Sequence, residues 1–190
     1  RLKKNQWEIE RQKLKRLRAT PAVTLDGAAI ELQANIELPD DMDGVAQCGA
    51  TGVGLFRSEF LFLGRLELPS EDEQFEAYRK VAAAMKAHPV TIRTLDVGAD
   101  KRLDGLNLSG TTSALGLRAI RYCLSEPRLF LTQLRAILRA SQFGKVQILI
   151  PMLSSSLEIK QALDMVKHAK EQLREANIAF DAGIKVGGMI

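Results

Sequence analysis

Two short apolar stretches decide the fold: Val53-Gly54-Leu55-Phe56-Arg57 and Val90-Thr91-Ile92-Arg93-Thr94-Leu95. Each is an apolar run of the length and composition typical of a buried strand. Between them, Pro69-Ser70-Glu71-Asp72-Glu73 opens a helix, with Ser70 as the N-cap and Glu73 placed for a capping box. A strand, a helix and a strand in this order predict a parallel crossover unit.

The same alternation continues on both sides of this unit. Hydrophobic periodicity predicts further strands over residues 29–36, 147–151 and 184–189, and further helices over 41–48, 114–124, 129–140 and 157–176. The sequence therefore predicts an α/β fold with about five strands. A closed (β/α)8 barrel uses eight strands and about 250 residues, so this chain would supply only part of one. A doubly wound sheet is the competing architecture, and periodicity alone does not separate the two.

Composition and charge divide the chain in two. With 190 residues, 46% of them hydrophobic, it can bury a real core. The net charge of +4 hides a basic segment, because residues 1–18 carry eight Lys or Arg and two Glu. Apolar residues fall on one side of a helix in this segment, which Thr20-Pro21 ends. We predict a basic amphipathic linker helix over 1–20 and the main domain over 21–190.

Several classes of protein are disfavoured by the sequence. Lys and Arg are not spread with aromatic platforms over the main domain, so we expect no nucleic-acid partner. Cys48 and Cys123 stand alone without zinc-ligand spacing, which indicates a reducing, cytoplasmic setting. No apolar run is long enough to span a bilayer, and none resembles a signal peptide. The chain begins at Arg1 and ends in a strand, so we expect it to be truncated.

Two arginines mark the candidate site. Arg57 follows one predicted strand at its carboxyl end, and Arg93 lies late in the next. Burying an unpaired guanidinium in such a run costs several kcal/mol, so each needs an anionic partner. That partner is either a ligand held by both forked donors or an internal carboxylate, for instance Glu59 for Arg57 or Asp96 for Arg93. The residues alone leave these two interpretations equal.

Two further cations could join the site. The loop Asp96-Val97-Gly98-Ala99-Asp100-Lys101 follows the Arg93 strand and would bring Lys101 back towards its end. Arg118 lies near the start of the helix predicted over 114–124, where free amides favour an anion. Ordinary surface roles for Lys101 and Arg118 are the alternatives.

Other candidate motifs lack the required context. The glycines of Gly49-Ala50-Thr51-Gly52-Val53-Gly54 come before a strand, whereas a dinucleotide fingerprint needs them after it. His88 and His168 have no nucleophile or metal ligand nearby in the sequence, and we interpret both as solvated.

Several long motifs in one order resemble Enzyme I of the bacterial sugar phosphotransferase system, the phosphoenolpyruvate-protein phosphotransferases. They are Gly52-Val53-Gly54-Leu55-Phe56-Arg57-Ser58-Glu59-Phe60-Leu61-Phe62, Leu68-Pro69-Ser70-Glu71-Asp72-Glu73-Gln74-Phe75, Thr91-Ile92-Arg93-Thr94-Leu95-Asp96-Val97-Gly98-Ala99-Asp100-Lys101 and Leu134-Arg135-Ala136-Ile137-Leu138-Arg139-Ala140-Ser141, with Pro151-Met152 at a strand end. Thr112-Ser113 depart from the family, which usually has Asn-Pro shortly before its Leu-Gly-x-Arg motif.

The resemblance implies a phosphoenolpyruvate-binding TIM barrel of which about the first five strands are present. It implies that Arg57 and Arg93 bind the phosphate of phosphoenolpyruvate (PEP), that Lys101 and Arg118 line the same pocket, and that Asp96 holds them in place. Neutralising a transferring phosphoryl group with converging cations is the main work in such chemistry.

The resemblance also implies what lies elsewhere. The family's Mg²⁺ ligands and catalytic cysteine would follow Ile190, and the acceptor histidine would precede the linker helix. No catalytic residue is therefore expected in this chain, which alone should transfer no phosphate. The implied partners are a histidine-containing phosphocarrier protein and, at full length, a second copy in a homodimer.

Two alternatives stay open. One is a related PEP-utilising enzyme, pyruvate phosphate dikinase or PEP synthase, which shares the arginine-bearing strands. The other is a non-catalytic binding or dimerisation module that uses the basic residues 1–18.

Overall fold

The computed structural model describes Trp7, Glu10 and residues 12–14, 17–18, 20–98 and 116–190. Lys101 lies outside the described residues. The described residues before Arg18 are helical, and a separate linker helix ending at residue 20 stays a prediction. Within the described ranges, no helix is both long and apolar enough to cross a membrane.

Five parallel strands form one sheet whose spatial order follows the order along the chain. They are β1 (Ala34–Ile36), β2 (Val53–Arg57), β3 (Pro89–Arg93), β4 (Lys145–Ile150) and β5 (Lys185–Gly188). The predicted α/β class and the predicted number of strands are confirmed. A doubly wound sheet reverses its strand order partway, and the part of the sheet that the structure describes has no such reversal.

Helices connect successive strands. They are α1 (Met42–Cys48), α2 (Glu71–Met85), α3 (Ala119–Ser125), α4 (Pro127–Ala140) and α5 (Ser156–Glu175). The capping box predicted for α2 is present, since Ser70 Oγ accepts from the Glu73 amide at 3.2 Å and Glu73 Oε2 accepts from the Ser70 amide at 2.8 Å. Right-handed crossovers that all step in one direction put their helices on the same face of a sheet.

The alternation of burial along the strands shows which face the helices cover. In β3, Val90 and Ile92 are fully buried, whereas Thr91 and Arg93 are half-buried on the opposite face. The helices contribute matching apolar stripes at helical spacing, including Phe130, Leu134 and Ile137 of α4, to one continuous core. Burying a side chain of this size stabilises the fold by about 1.5–3 kcal/mol.

Two predicted elements are shorter than periodicity suggested. The strand predicted over 29–36 begins at Ala34, because Ala29 forms an antiparallel bridge with Val23 instead. The helix predicted over 114–124 begins at Ala119, whose φ is +47°, and Arg118 before it is extended. The Ala119 amide donates to the Val97 carbonyl at 3.0 Å. A tertiary hydrogen bond therefore sets the start of α3, and Arg118 precedes the helix rather than lying inside it.

Candidate functional site

The two arginines that end β2 and β3 lie side by side. Arg57 and Arg93 are direct partners in the parallel register of these strands. Directly paired residues on neighbouring strands project to the same face of the sheet. Their side chains therefore lie on one side of the sheet, on the face opposite Val90 and Ile92, at the carboxyl edge where parallel α/β sheets bind ligands.

Arg93 is the more deeply placed of the two. Its side chain is 13% exposed, and its Nη2 lies 2.5 Å from Oε1 of Glu59, which is only 2% exposed. Its Nη1 lies 3.1 Å from Oδ2 of Asp96. Glu59 belongs to the short 3-10 turn, Ser58–Leu61, that directly follows β2. The end of β2 therefore supplies the carboxylate that holds the arginine at the end of β3.

Asp96 links Arg93 to a second cation. The Nη2 of Arg118 lies 3.3 Å from Oδ1 of Asp96, so the two carboxylate oxygens of Asp96 face two different guanidinium groups. The sequence predicted that Arg93, Asp96 and Arg118 lie together, and the structure brings these three residues into contact. Arg118 reaches the cluster from the extended residue before α3.

Arg57 lies towards solvent at the edge of this cluster. Its side chain is 40% exposed, and its Nη1 lies 2.9 Å from Oε1 of Glu37. The sequence suggested Glu59 as an internal partner for Arg57, and this is wrong, because Glu59 pairs with Arg93. The suggested internal pair of Arg93 with Asp96 is present. Arg57 and Arg93 therefore each have a carboxylate partner. A ligand would need further N–H donors on these guanidinium groups.

Two guanidinium donors do remain. The Nε atoms of Arg93 and Arg118 are buried and have no hydrogen-bond partner among the described residues. Leaving a buried donor unsatisfied costs about 1–3 kcal/mol. Arg139 shows the contrast, since it pairs with Glu71 and Asp72 at 2.7 Å each and stacks on Phe75. Arg93 and Arg118 thus each carry a buried donor that no described residue satisfies.

The described residues offer no metal centre of their own. Within residues 20–98 and 116–190, no group of three or more His, Cys, Asp or Glu side chains could hold a metal ion. The carboxylates beside the arginines, Glu59 and Asp96, are both engaged in ion pairs. Neither His88 nor His168 belongs to the cluster, and both are exposed.

The two cysteines differ in reactivity. Cys123 is fully buried beside Asp96, and burial raises the pKa of its thiol to about 12, with the Asp96 charge adding to the shift. Cys48 is exposed near the end of α1. Because the thiolate is the reactive form, Cys123 is unsuited to nucleophilic chemistry at neutral pH.

We expect iodoacetamide near neutral pH to alkylate Cys48 at least about tenfold faster than Cys123, because Cys123 is both inaccessible and protonated. Peptide mass spectrometry over a time course measures the two rates. In denaturant the rates should converge, which serves as the control. Equal rates in the folded protein would contradict the placement of Cys123 against Asp96.

The sequence-based predictions did not include the buried polar residues that lie behind the arginine cluster. Ser58, Tyr78 and Gln133 are buried polar side chains whose hydrogen bonds lead to the backbone of β3. One signal was available in the sequence. Gln133 lies within the apolar stripe of α4 defined by Phe130, Leu134 and Ile137, where a glutamine must find partners inside the core.

Known proteins resemble this chain over nearly its whole length. The chain matches the family described as PEP-utilising enzyme, PEP-binding domain, over residues 11–190. It is 58% identical over 186 residues to a phosphoenolpyruvate-protein phosphotransferase of Cupriavidus necator, covering 96% of this chain and 32% of that protein. Proteins of the same name from Geobacillus stearothermophilus and Staphylococcus epidermidis are 45% and 44% identical over 189 residues, covering 99% of this chain and 33% of each protein. The chain spans about a third of the length of the curated relatives it matches.

Proposed function

The chain belongs to the family of PEP-utilising enzymes and matches their PEP-binding domain over residues 11–190. From this premise we propose that it is the substrate-binding part of a phosphoenolpyruvate-protein phosphotransferase. The relatives described above carry that name, at 44–58% identity. They support this assignment over pyruvate phosphate dikinase or PEP synthase. The proposed reaction moves the phosphoryl group of PEP through an enzyme histidine outside this chain to a histidine-containing phosphocarrier protein, for sugar uptake.

The observation that carries the proposal is the pair of buried guanidinium Nε donors on Arg93 and Arg118. Two arginines already joined through one carboxylate, each with a donor left over, can donate to the oxygens of one small anion. Phosphoenolpyruvate offers both phosphate and carboxylate oxygens for such forked donors. Internal ion pairing alone leaves these two nitrogens unsatisfied.

Each residue of the site has a proposed role. Arg93 and Arg118 bind phosphoryl oxygens from within, and Arg57 closes the outer side, where its exposure lets it exchange Glu37 for the ligand. Asp96 sets the separation of Arg93 and Arg118 through its two oxygens. Lys101 is proposed to reach the same anion from the loop after Asp96. Such preorganised cations stabilise the charge that develops during phosphoryl transfer.

The remaining features of the proposal concern the whole protein. We propose that the five-stranded sheet is the first part of a (β/α)8 barrel wall, because its unreversed strand order is the order of a barrel. Mg²⁺ ligands after Ile190, which the family resemblance implies, are part of the same proposal. A homodimer at full length and a cytoplasmic location belong to the same proposal, the latter resting on two free cysteines.

The test compares two arginines of similar setting in the full-length protein. Arg57 and Arg65 are 40% and 43% exposed, and each forms one ion pair, at 2.9 and 2.8 Å. Arg57→Gln should weaken phosphoenolpyruvate binding at least about tenfold, since a charge-assisted hydrogen bond contributes about 1.5–3 kcal/mol. Arg65 pairs with Glu73 rather than with a residue of the cluster, so Arg65→Gln should leave binding unchanged.

Isothermal titration calorimetry with Mg²⁺ present measures both dissociation constants. If the wild-type protein bound no phosphoenolpyruvate, or if Arg57→Gln bound it as tightly as Arg65→Gln does, the proposed function would be rejected.

A further inference from the structure

Four polar side chains lie buried directly behind the arginine cluster. Ser58, Gln74, Tyr78 and Gln133 are each at most 2% exposed. They come from three elements, namely the turn after β2, helix α2 and helix α4. Buried polar groups of this kind need partners, and these four find them in one another and in the backbone of Pro69, Arg93 and Leu95.

The hydrogen bonds branch at Gln133, one branch leading through Ser58 to Arg93 and the other through Tyr78 to Gln74. Gln133 Nε2 donates to Ser58 Oγ at 2.9 Å and to the Tyr78 hydroxyl at 3.1 Å. Because Ser58 Oγ accepts from Gln133, its own proton is directed to the Arg93 carbonyl, at 2.6 Å. Burial raises the pKa of Tyr78 above its ordinary value, so its hydroxyl stays protonated and can donate to Gln74 Oε1 at 3.4 Å.

The other end of the Gln133 amide binds the same stretch of backbone. Its Oε1 accepts from the Leu95 amide at 2.8 Å. The network therefore grips the carbonyl of Arg93 and the amide of Leu95, one on each side of Thr94. The Thr94 amide is bound in turn to the Leu149 carbonyl of β4 at 2.9 Å. Three hydrogen bonds thus fix the backbone between Arg93 and Asp96, and two of them end on Ser58 and Gln133.

The backbone that these hydrogen bonds hold also carries two residues of the site's ion pairs. Arg93 and Asp96 lie at the two ends of the gripped stretch, and Asp96 also holds Arg118. A small rotation of this backbone would move the carboxylate that both arginines share. Ser58 and Gln133 are fully buried, so neither side chain contacts the proposed ligand. Towards the cluster they bind only each other and the backbone of Arg93 and Leu95.

We propose that Ser58 and Gln133 are positioning residues for PEP: they hold the backbone from Arg93 to Asp96 so that Arg93 and Arg118 present their donors at one fixed separation. The inference rests on the proposed function, because it assumes that these arginines bind the substrate. A merely structural role, in which the network only satisfies backbone groups at the end of β3, predicts lost stability with unchanged substrate kinetics. A positioning role predicts lost substrate kinetics as well, because small misplacements of binding groups slow such reactions strongly.

The chain offers a matched control for Ser58. Ser141 is also buried and also donates to a main-chain carbonyl, that of Leu138, at 2.6 Å. It likewise accepts one hydrogen bond, from the Asp181 amide at 2.8 Å. Ser141 precedes β4, at the opposite end of the strands from Arg93. Replacing either serine with alanine therefore removes a buried hydroxyl that donates one hydrogen bond and accepts another.

The experiment measures kcat/KM for PEP and the melting temperature of Ser58→Ala, Ser58→Thr and Ser141→Ala in the full-length phosphotransferase. Ser58→Ala and Ser141→Ala should lower the melting temperature to a similar extent. Only Ser58→Ala should lower kcat/KM, by about tenfold to a hundredfold. Ser58→Thr keeps the hydroxyl and should restore kcat/KM even where its added methyl group lowers the melting temperature. Gln133→Met, a substitution of similar size, should act in the same direction as Ser58→Ala.

The outcomes separate the two proposals. If wild-type protein binds PEP and Arg57→Gln weakens binding while Ser58→Ala keeps the kcat/KM of Ser141→Ala, the positioning role is overturned and the proposed function stands. The same holds if Ser58→Thr is as impaired as Ser58→Ala. If the wild-type protein does not bind PEP, the proposed function fails, and the positioning role fails with it.

Discussion

Replacing Arg93 with methionine should lower phosphoenolpyruvate affinity at least about tenfold, because the charge-assisted hydrogen bond from its remaining donor, worth about 1.5–3 kcal/mol, is lost. The same change should lower the free energy of unfolding by about 3–5 kcal/mol, since it removes one partner of a buried ion pair. Glu59 is 2% exposed and loses a contact of 2.5 Å. Calorimetric titration and urea denaturation of the full-length protein measure the two effects.

A second substitution separates binding from stability in this result. The double variant Arg93→Met with Glu59→Gln no longer buries the Glu59 charge, so it should regain much of the lost free energy of unfolding. It should not regain phosphoenolpyruvate binding, because the guanidinium group is still missing. Full affinity in Arg93→Met, or affinity that returns together with stability in the double variant, would show that Arg93 serves only as an internal ion pair.

The largest effect on the core should come from α4. Leu134→Ala should lower the free energy of unfolding by about 2–5 kcal/mol, the range found when a buried leucine is truncated and leaves a cavity. Leu134 is fully buried in the continuous core between α4 and the sheet. Phe56 of β2 and Ile92 of β3 belong to the same continuous core as Leu134.

Leu66→Ala supplies the matched control for Leu134→Ala. Leu66 is 85% exposed in the segment before α2, and the same chemical truncation there should change the free energy of unfolding by no more than about 0.5 kcal/mol. Urea denaturation measures both variants under one condition. Similar losses for the two leucines would contradict the burial pattern described for α4.

Much of the fold follows from local sequence patterns. The strands that contain Arg57 and Arg93 and the long helices α2, α4 and α5 are predicted by periodicity, and the Ser70–Glu73 capping box by spacing. These features depend on neighbours within about one or two helical turns, which the sequence displays directly. The order of the strands in space was not accessible in this way, since barrel and doubly wound sheets share the same alternation.

The parts that sequence could not supply depend on contacts between distant residues. Glu59 pairs with Arg93 rather than Arg57, because the turn after β2 directs it across to β3. Gln133 reaches Ser58 and Leu95 from a different element, and no local pattern specifies those partners. The start of α3 is set by the hydrogen bond between Ala119 and Val97. Each is a tertiary interaction that overrides or completes a local preference.

The hydrogen bond between the Ala119 amide and the Val97 carbonyl, at 3.0 Å, also has a consequence for the ion pair beside it. Val97 directly follows Asp96, and Ala119 directly follows Arg118. A main-chain clasp one residue away therefore keeps Asp96 and Arg118 adjacent, and it does not depend on the charge of either side chain.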